Sequence, residues 1–270
     1  PSSPIFWADR PVPHVPRHHR NRSFDWQLAP RLAGRLTAAE VEQFERDGYV
    51  LVRGAFDAHE VEAAVAAIEP FERRGEEFLR TQPDGTFFIA RADEITFTTH
   101  LASRSDVLAD MSRSEVIRDL CLDLIGPDVR LYWDQAVYKK PETRAEFPWH
   151  QDNGYTFIEP QQYLTCWVAL TDTDETNGCP CVLPAHHRQG TDRHEMTPLG
   201  WQCIDPAEPG TAVPAAAGDI VVFSSLTPHR TGPNLTGSTR KSYILQYAPE
   251  GAVRVDEESV AAQDDPDRQY

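Results

Sequence analysis

The chain has 270 residues, 40% hydrophobic and 25% charged, which is the balance of an ordinary enzyme-sized globular protein. Its 42 Asp and Glu against 26 Lys and Arg leave a formal net charge of −16, which argues against nucleic acid or an anionic membrane surface as the main partner. No apolar run approaches transmembrane length, no signal-peptide pattern follows the opening Pro, and five scattered cysteines form no disulfide framework, so the expected compartment is reducing and cytoplasmic.

Residues 1–35 are rich in Pro, Arg and His and read as an irregular arm. Thr37-Ala-Ala-Glu40 is a capping box, with Val41 and Phe44 following at helical spacing. Gly48 stops that helix, and Tyr49-Val-Leu-Val52 reads as a strand. Asp57-Ala-His-Glu60 opens a second helix in the same way, running to about Arg73. Residues 84–100 set the β-formers Phe87, Phe88, Ile89 and Phe97 around a polar break at Asp93-Glu94. Two more helices are predicted, over about 103–111 and from Ser114 to Ile125, the latter ended by Gly126-Pro127.

Beyond that point the pattern changes. Segments 129–139, 163–170, 179–183, 219–224 and 240–248 are short, β-branched or aromatic, and separated by Gly, Pro, Asn and Asp. Helices first and many short strands later predict a mainly β domain, an antiparallel sandwich or barrel with a covering helical layer. One domain over 36–248 is expected, its β core mainly in 129–248, followed by a loosely held acidic tail, 249–270. Cys179-Pro-Cys181 reads as two residues on one strand face, and 184–217 as a long structureless loop of the kind that gates a site.

The chemistry concentrates in Phe147-Pro-Trp-His-Gln-Asp-Asn-Gly154. In extended backbone, His150 and Asp152 project from one face and bring an imidazole and a carboxylate to one point. Two His and one carboxylate on one side of an octahedron leave positions open, the arrangement that suits iron(II) oxygen chemistry. The third ligand is assigned to His229, which follows the buried-strand signal Gly218–Ser224 and precedes the turn cluster Thr231–Gly237. A hairpin centred near Asn234-Leu235 would set His229 opposite Arg240, an arginine able to clamp a carboxylate in two parallel hydrogen bonds. His186 and His187 are rivals for the metal, but nothing equivalent to Arg240 accompanies them. Lys139 and Lys140, before Pro141, read as solvated charges.

With those residues in hand, the chain resembles the phytanoyl-CoA dioxygenase family of iron(II)/2-oxoglutarate oxygenases. The resemblance covers roughly residues 36–248, through Asp47-Gly-Tyr-Val50, Tyr138-Lys-Lys-Pro141, Trp149-His-Gln-Asp152, Thr165–Leu170, Asn177-Gly178 and His229 to Arg240. It implies a double-stranded β-helix, the cupin-like jelly roll, and iron(II) held by His150, Asp152 and His229. Arg240 would bind the distal carboxylate of 2-oxoglutarate, with the Thr231 hydroxyl assisting, Trp167 packing beside it and Gln135 near the chelating end. The implied activity consumes dioxygen, releases succinate and CO2, and hydroxylates an unactivated C–H bond. Related halogenases vacate the carboxylate position, and Asp152 fills it.

Expected walls of a small-molecule substrate pocket are Phe88, Trp149, Asn153, Tyr155 and Trp201, with Phe97 and Phe157 beside them. Three other readings remain open at this stage. One is a metal-binding jelly roll without turnover, another a zinc or manganese enzyme needing no co-substrate, and the third a 2-oxoglutarate-dependent desaturase, epoxidase or cyclase.

Overall fold

The computed structural model describes residues 13–30 and 32–255. Capping boxes at Thr37 and Asp57 start helices α1 (Ala38–Asp47) and α2 (Ala58–Thr81), with strand β1 (Tyr49–Val52) between them. Gly48 ends α1 in left-handed backbone, φ 82°, where its amide donates to the Phe44 carbonyl at 2.8 Å. A Cβ there would lie 2.5 Å from both His187 Nδ1 and Thr227 Oγ1. Gly48→Ala is therefore expected to destabilise the fold by about 2–4 kcal/mol, from left-handed strain plus overpacking, as read by chemical denaturation.

Helix α2 runs about two turns past its predicted end near Arg73, to Thr81. Glu72 and Glu76 turn inward on it and meet Lys140, and this pairing holds the helix through Gly75, whose intrinsic penalty is only about 1 kcal/mol. Three short strands follow, β2 (Thr86–Phe87), β3 (Ala90–Arg91) and β4 (Ile95–Thr99), then helices α3 (Asp106–Ser112) and α4 (Glu115–Leu124). The remaining strands are β5 (Val129–Lys139), β6 (Phe147–His150), β7 (Ile158–Glu159), β8 (Leu164–Ala169), β9 (Pro180–Val182), β10 (Glu195–Thr197), β11 (Gly200–Gln202), β12 (Thr211–Ala212), β13 (Ile220–Ser224), β14 (His229–Thr231), β15 (Arg240–Pro249) and β16 (Val253–Arg254).

Two antiparallel sheets face each other in a jelly-roll core, one of eight strands ordered β1-β13-β8-β15-β5-β4-β3-β2 and one of four ordered β12-β9-β14-β6. Strand alternation divides the large sheet cleanly. Outward Tyr138, Cys166, Val168, Tyr243 and Leu245 pack with Ile68, Leu108 and Leu120 of the helical layer. Inward Val137, Trp167, Phe223 and Ile244 meet Val182 of the small sheet. Each such aliphatic side chain contributes about 1.5–3 kcal/mol by leaving water, so the helices are held by packing rather than by their own propensity.

Two further expectations need correction. Residues 232–239 do not turn a hairpin but carry the chain from the small sheet to the large one. Strand β14 pairs with β6 and β9, whereas β15 pairs with β5 and β8, so His229 lies opposite His150 and Arg240 opposite Lys139. Buried Asn234 anchors the crossing, its amide donating to the carbonyls of Lys139, Lys140 and Ser238. The segment 184–217 is not structureless either: it holds a 3-10 turn (His186–Gln189), the β10–β11 hairpin and β12. Strands β1 and β4, from the part of the chain that carries the helices, also join the large sheet.

The arm is irregular but tied down where it is described. Asn21 donates to the carbonyls of Gln189 and Thr191, Trp26 donates to Glu45, and the Gly34–Leu36 amides all donate to Asp123. The tail is paired at its start through β16 against β7, and 1–12 and 256–270 lie outside the described residues. All five cysteines are free thiols. Among the described residues no helix is long and apolar enough to cross a membrane.

Candidate metal centre and co-substrate pocket

Strands β6 and β14 place His150 and His229 directly across from each other, with ring centroids 4.1 Å apart. Gln151 is extended (φ −106°, ψ 143°), so Asp152 returns to the same side as His150 before the chain enters a 3-10 turn. His150 Nδ1 lies 2.9 Å from the Pro148 carbonyl and His229 Nδ1 3.0 Å from that of Thr227. Each ring therefore donates backwards through Nδ1 and turns the Nε2 lone pair forwards. The two Nε2 atoms lie 3.9 and 3.7 Å from Asp152 Oδ1, and the three ligand atoms fall within 4.8 Å of one another. Burial, and His229 beside it, hold His150 well below the usual imidazole range, which keeps it neutral and able to ligate.

A buried polar frame sets this geometry. Thr165 on β8 donates to Asp152 Oδ2 at 2.6 Å, leaving Oδ1 to face the imidazoles. Gln151, fully buried, donates to the Gly190 and Leu226 carbonyls and accepts from the Asp192 amide. Asn153 donates to Thr191 Oγ1 and accepts from the Ile158 amide. Thr165→Val keeps the shape but removes the orienting hydroxyl. It is expected to lower metal affinity about 10–100-fold with the fold intact, as measured by metal titration.

Arg240 is 1% exposed and faces the same cavity, its guanidinium 5.6 Å from the Trp167 ring. Nη1 donates to Ser242 Oγ at 2.8 Å, but Nε and Nη2 are buried without a partner. Those two atoms form one edge of the guanidinium, the edge that grips a carboxylate in two parallel bonds. Burial pulls Arg240 down to about 10, and it remains a cation at neutral pH. A buried cation with an empty donor edge is costly alone, and its geometry fits a carboxylate ligand.

A profile of the phytanoyl-CoA dioxygenase (PhyH) family matches residues 44–242, from within α1 into β15. The chain belongs to the phytanoyl-CoA dioxygenase family. Relatives in and around that family include the ectoine dioxygenase of Bordetella bronchiseptica, 27% identical over 80% of this chain and 77% of that one. The peroxisomal phytanoyl-CoA dioxygenase of Mus musculus is 23% identical over 92% of this chain and 78% of its own. Among solved structures, the alpha-ketoglutarate-dependent carbocyclase SnoK from nogalamycin biosynthesis shares the fold, with TM-score 0.69 and 23% identity over 82% of this chain and 87% of SnoK. As a family member the chain is a non-haem iron, 2-oxoglutarate-dependent oxygenase.

For this member of the phytanoyl-CoA dioxygenase family, the cavity holding His150, Asp152, His229 and Arg240 has a volume of about 530 Å³. Gln135, Trp167 and Thr231 all line it, as do Phe88, Phe97, Tyr155 and Trp201. Three expected wall residues do not. Trp149 alternates with His150 on β6 and points the other way, 1% exposed against Leu183 and Ile204. Asn153 is consumed by the polar frame, and Phe157 stacks on His18 of the arm, ring centroids 4.7 Å apart. The rival histidines are structural: His186 Nε2 lies 2.6 Å from Asp192, and buried His187 packs edge-on to Trp26.

Lys139 is not solvated as expected. It is fully buried, donates to the Gly232 carbonyl, and is pushed well below the usual amine range by burial and by Arg240 beside it. Lys140 pairs with Glu72. Thr165, Tyr163 and Gln246 have no site role in the sequence reading, and all three line the cavity. The alternation of Arg240, Ser242, Ile244 and Gln246 along β15 was the available signal for Gln246.

Proposed function

We propose that this enzyme hydroxylates an unactivated C–H bond of a small organic metabolite, with conversion of 2-oxoglutarate to succinate and CO2. His150, Asp152 and His229 would hold iron(II), and Arg240, with Thr231 and Trp167 beside it, would receive the distal carboxylate of 2-oxoglutarate. The observation that carries the reading is the free Nε–Nη2 edge of buried Arg240, facing the cavity that also contains the convergent His-Asp-His set.

Bound there, the metal and co-substrate supply the activation of dioxygen and the oxidising power for the C–H bond. The chain's own part is positional. Thr165 fixes the Asp152 carboxylate, the Pro148 and Thr227 carbonyls fix the imidazole tautomers, and the apolar sheet interior excludes water. Asp152 occupies the position that a halide would need, which favours hydroxylation over halogenation. Aromatic walls at Phe88, Tyr155 and Trp201 suit an organic substrate.

The test is anaerobic optical titration of the metal-free protein with iron(II) and 2-oxoglutarate. A weak visible band that needs both components supports the reading. Iron binding by folded protein without that band, at any 2-oxoglutarate concentration, would overturn it.

A further inference from the structure

Among the described residues, the charged side chains lining the cavity are Asp152 and Arg240, with His150 and His229 beside them. On the reading above all four are committed to the metal and the co-substrate, and the remaining wall is aromatic, aliphatic, hydroxyl or amide. A charged substrate group would then be buried with no counter-charge, at a penalty of several kcal/mol.

Two neutral polar groups sit beside the metal end without partners. Gln246 is 7% exposed, lies on the inward face of β15, and makes no side-chain hydrogen bond among the described residues. Its cross-strand neighbours are Thr165, which holds Asp152, and Trp133. Tyr163, 1% exposed at the entry to β8, lines the same wall, and its hydroxyl has no hydrogen-bond partner among the described residues. Neither the Gln246 amide nor the Tyr163 hydroxyl is spent on a hydrogen bond to another described residue, so both are available to a ligand in the cavity they line. Phe88 also lines the cavity, 60% exposed and held in left-handed backbone, φ 54°, a conformation that bulky residues rarely adopt.

We infer that the substrate is an uncharged, ring-bearing molecule whose neutral carbonyl, amide or hydroxyl group is held by Gln246 and Tyr163 beside the metal, while its apolar body extends to Phe88 and Trp201. This rests on the oxygenase reading above. The two side chains act as positioning and specificity residues, since one hydrogen-bonded end fixes which C–H faces the metal. A site built around unpaired polar groups discriminates strongly against ligands that cannot satisfy them.

The experiment uses three probes with one ring body and different heads: 2-naphthamide, 2-naphthoate and 2-naphthylmethylammonium. Each is titrated calorimetrically into the anaerobic iron(II) protein saturated with 2-oxoglutarate, after the visible band has been recorded. Absence of the band sinks the oxygenase reading itself; the inference is judged only on protein that shows it. The amide is expected to bind at least about tenfold tighter than either charged probe. Gln246→Met and Tyr163→Phe, both close in volume to the native residues, should each weaken the amide about tenfold, or 1.4 kcal/mol, and leave 2-oxoglutarate affinity unchanged. The inference is overturned if a charged probe matches the amide, if no probe binds, if neither variant weakens the amide, or if Gln246→Met weakens 2-oxoglutarate instead.

Discussion

Asp152→Ala, and separately His229→Ala, are expected to abolish iron binding and to reduce succinate formation by at least about 10³-fold, because the difficult chemistry belongs to the metal. The local geometry explains why neither loss can be compensated nearby. His186 and His187 are held by Asp192, Glu45 and Trp26, and cannot swing into the cavity. His194 Nε2 accepts from the Gln151 backbone N–H, and its Nδ1 lies against the Asp192 carbonyl. Among the described residues, Thr165 is the one side chain that hydrogen-bonds Asp152, so truncating Asp152 is expected to leave the Gln151 and Asn153 bonds in place and the fold intact. The measurements are metal content after desalting, the visible band with 2-oxoglutarate, and thermal unfolding as the folding control. A folded variant that retains both iron and turnover would remove that residue from the ligand set.

Arg240→Met should produce two effects of opposite sign. In the absence of co-substrate, the native guanidinium is fully buried with Nε and Nη2 unpaired, and replacement by an apolar chain of similar length removes that penalty. The co-substrate-free variant is expected to unfold at a temperature equal to or above that of the parent. Its 2-oxoglutarate requirement should rise by about 30- to several-thousand-fold, because truncating a buried, hydrogen-bonded charge pair costs about 2–5 kcal/mol. The same ligand should raise the unfolding temperature of the parent in proportion to the logarithm of its concentration and leave the variant unmoved. A general packing role predicts the reverse, lower stability with 2-oxoglutarate affinity retained, so the pair of measurements decides. Lys139 cannot substitute for Arg240, since its amine is occupied by the carbonyl of Gly232 and it does not line the cavity.

The sequence by itself determined what depends on neighbours along the chain. Capping boxes at Thr37 and Asp57, the left-handed stop at Gly48 and the β-rich segments after residue 129 are all local effects, and the elements begin where those residues stand. The His150–Asp152 pair was legible for the same reason, because an extended residue between two side chains sends both to one side whatever surrounds it. Tertiary structure alone decided how distant segments meet. His229 and Arg240 are close in sequence but sit on different sheets, since a jelly roll sends successive strands to opposite layers, and the true neighbour of His229 is His150. The 3-10 turn at Asp152–Gly154 breaks strand alternation and turns Tyr155 into the cavity, whereas strict alternation from Asp152 would send it to the other face. Lys139 looks solvated beside Lys140 and Pro141, yet β15 and the 232–239 crossing close over it. Burial of this kind is a property of the assembled sheets, and the sequence around a residue carries no local energy term that reports it.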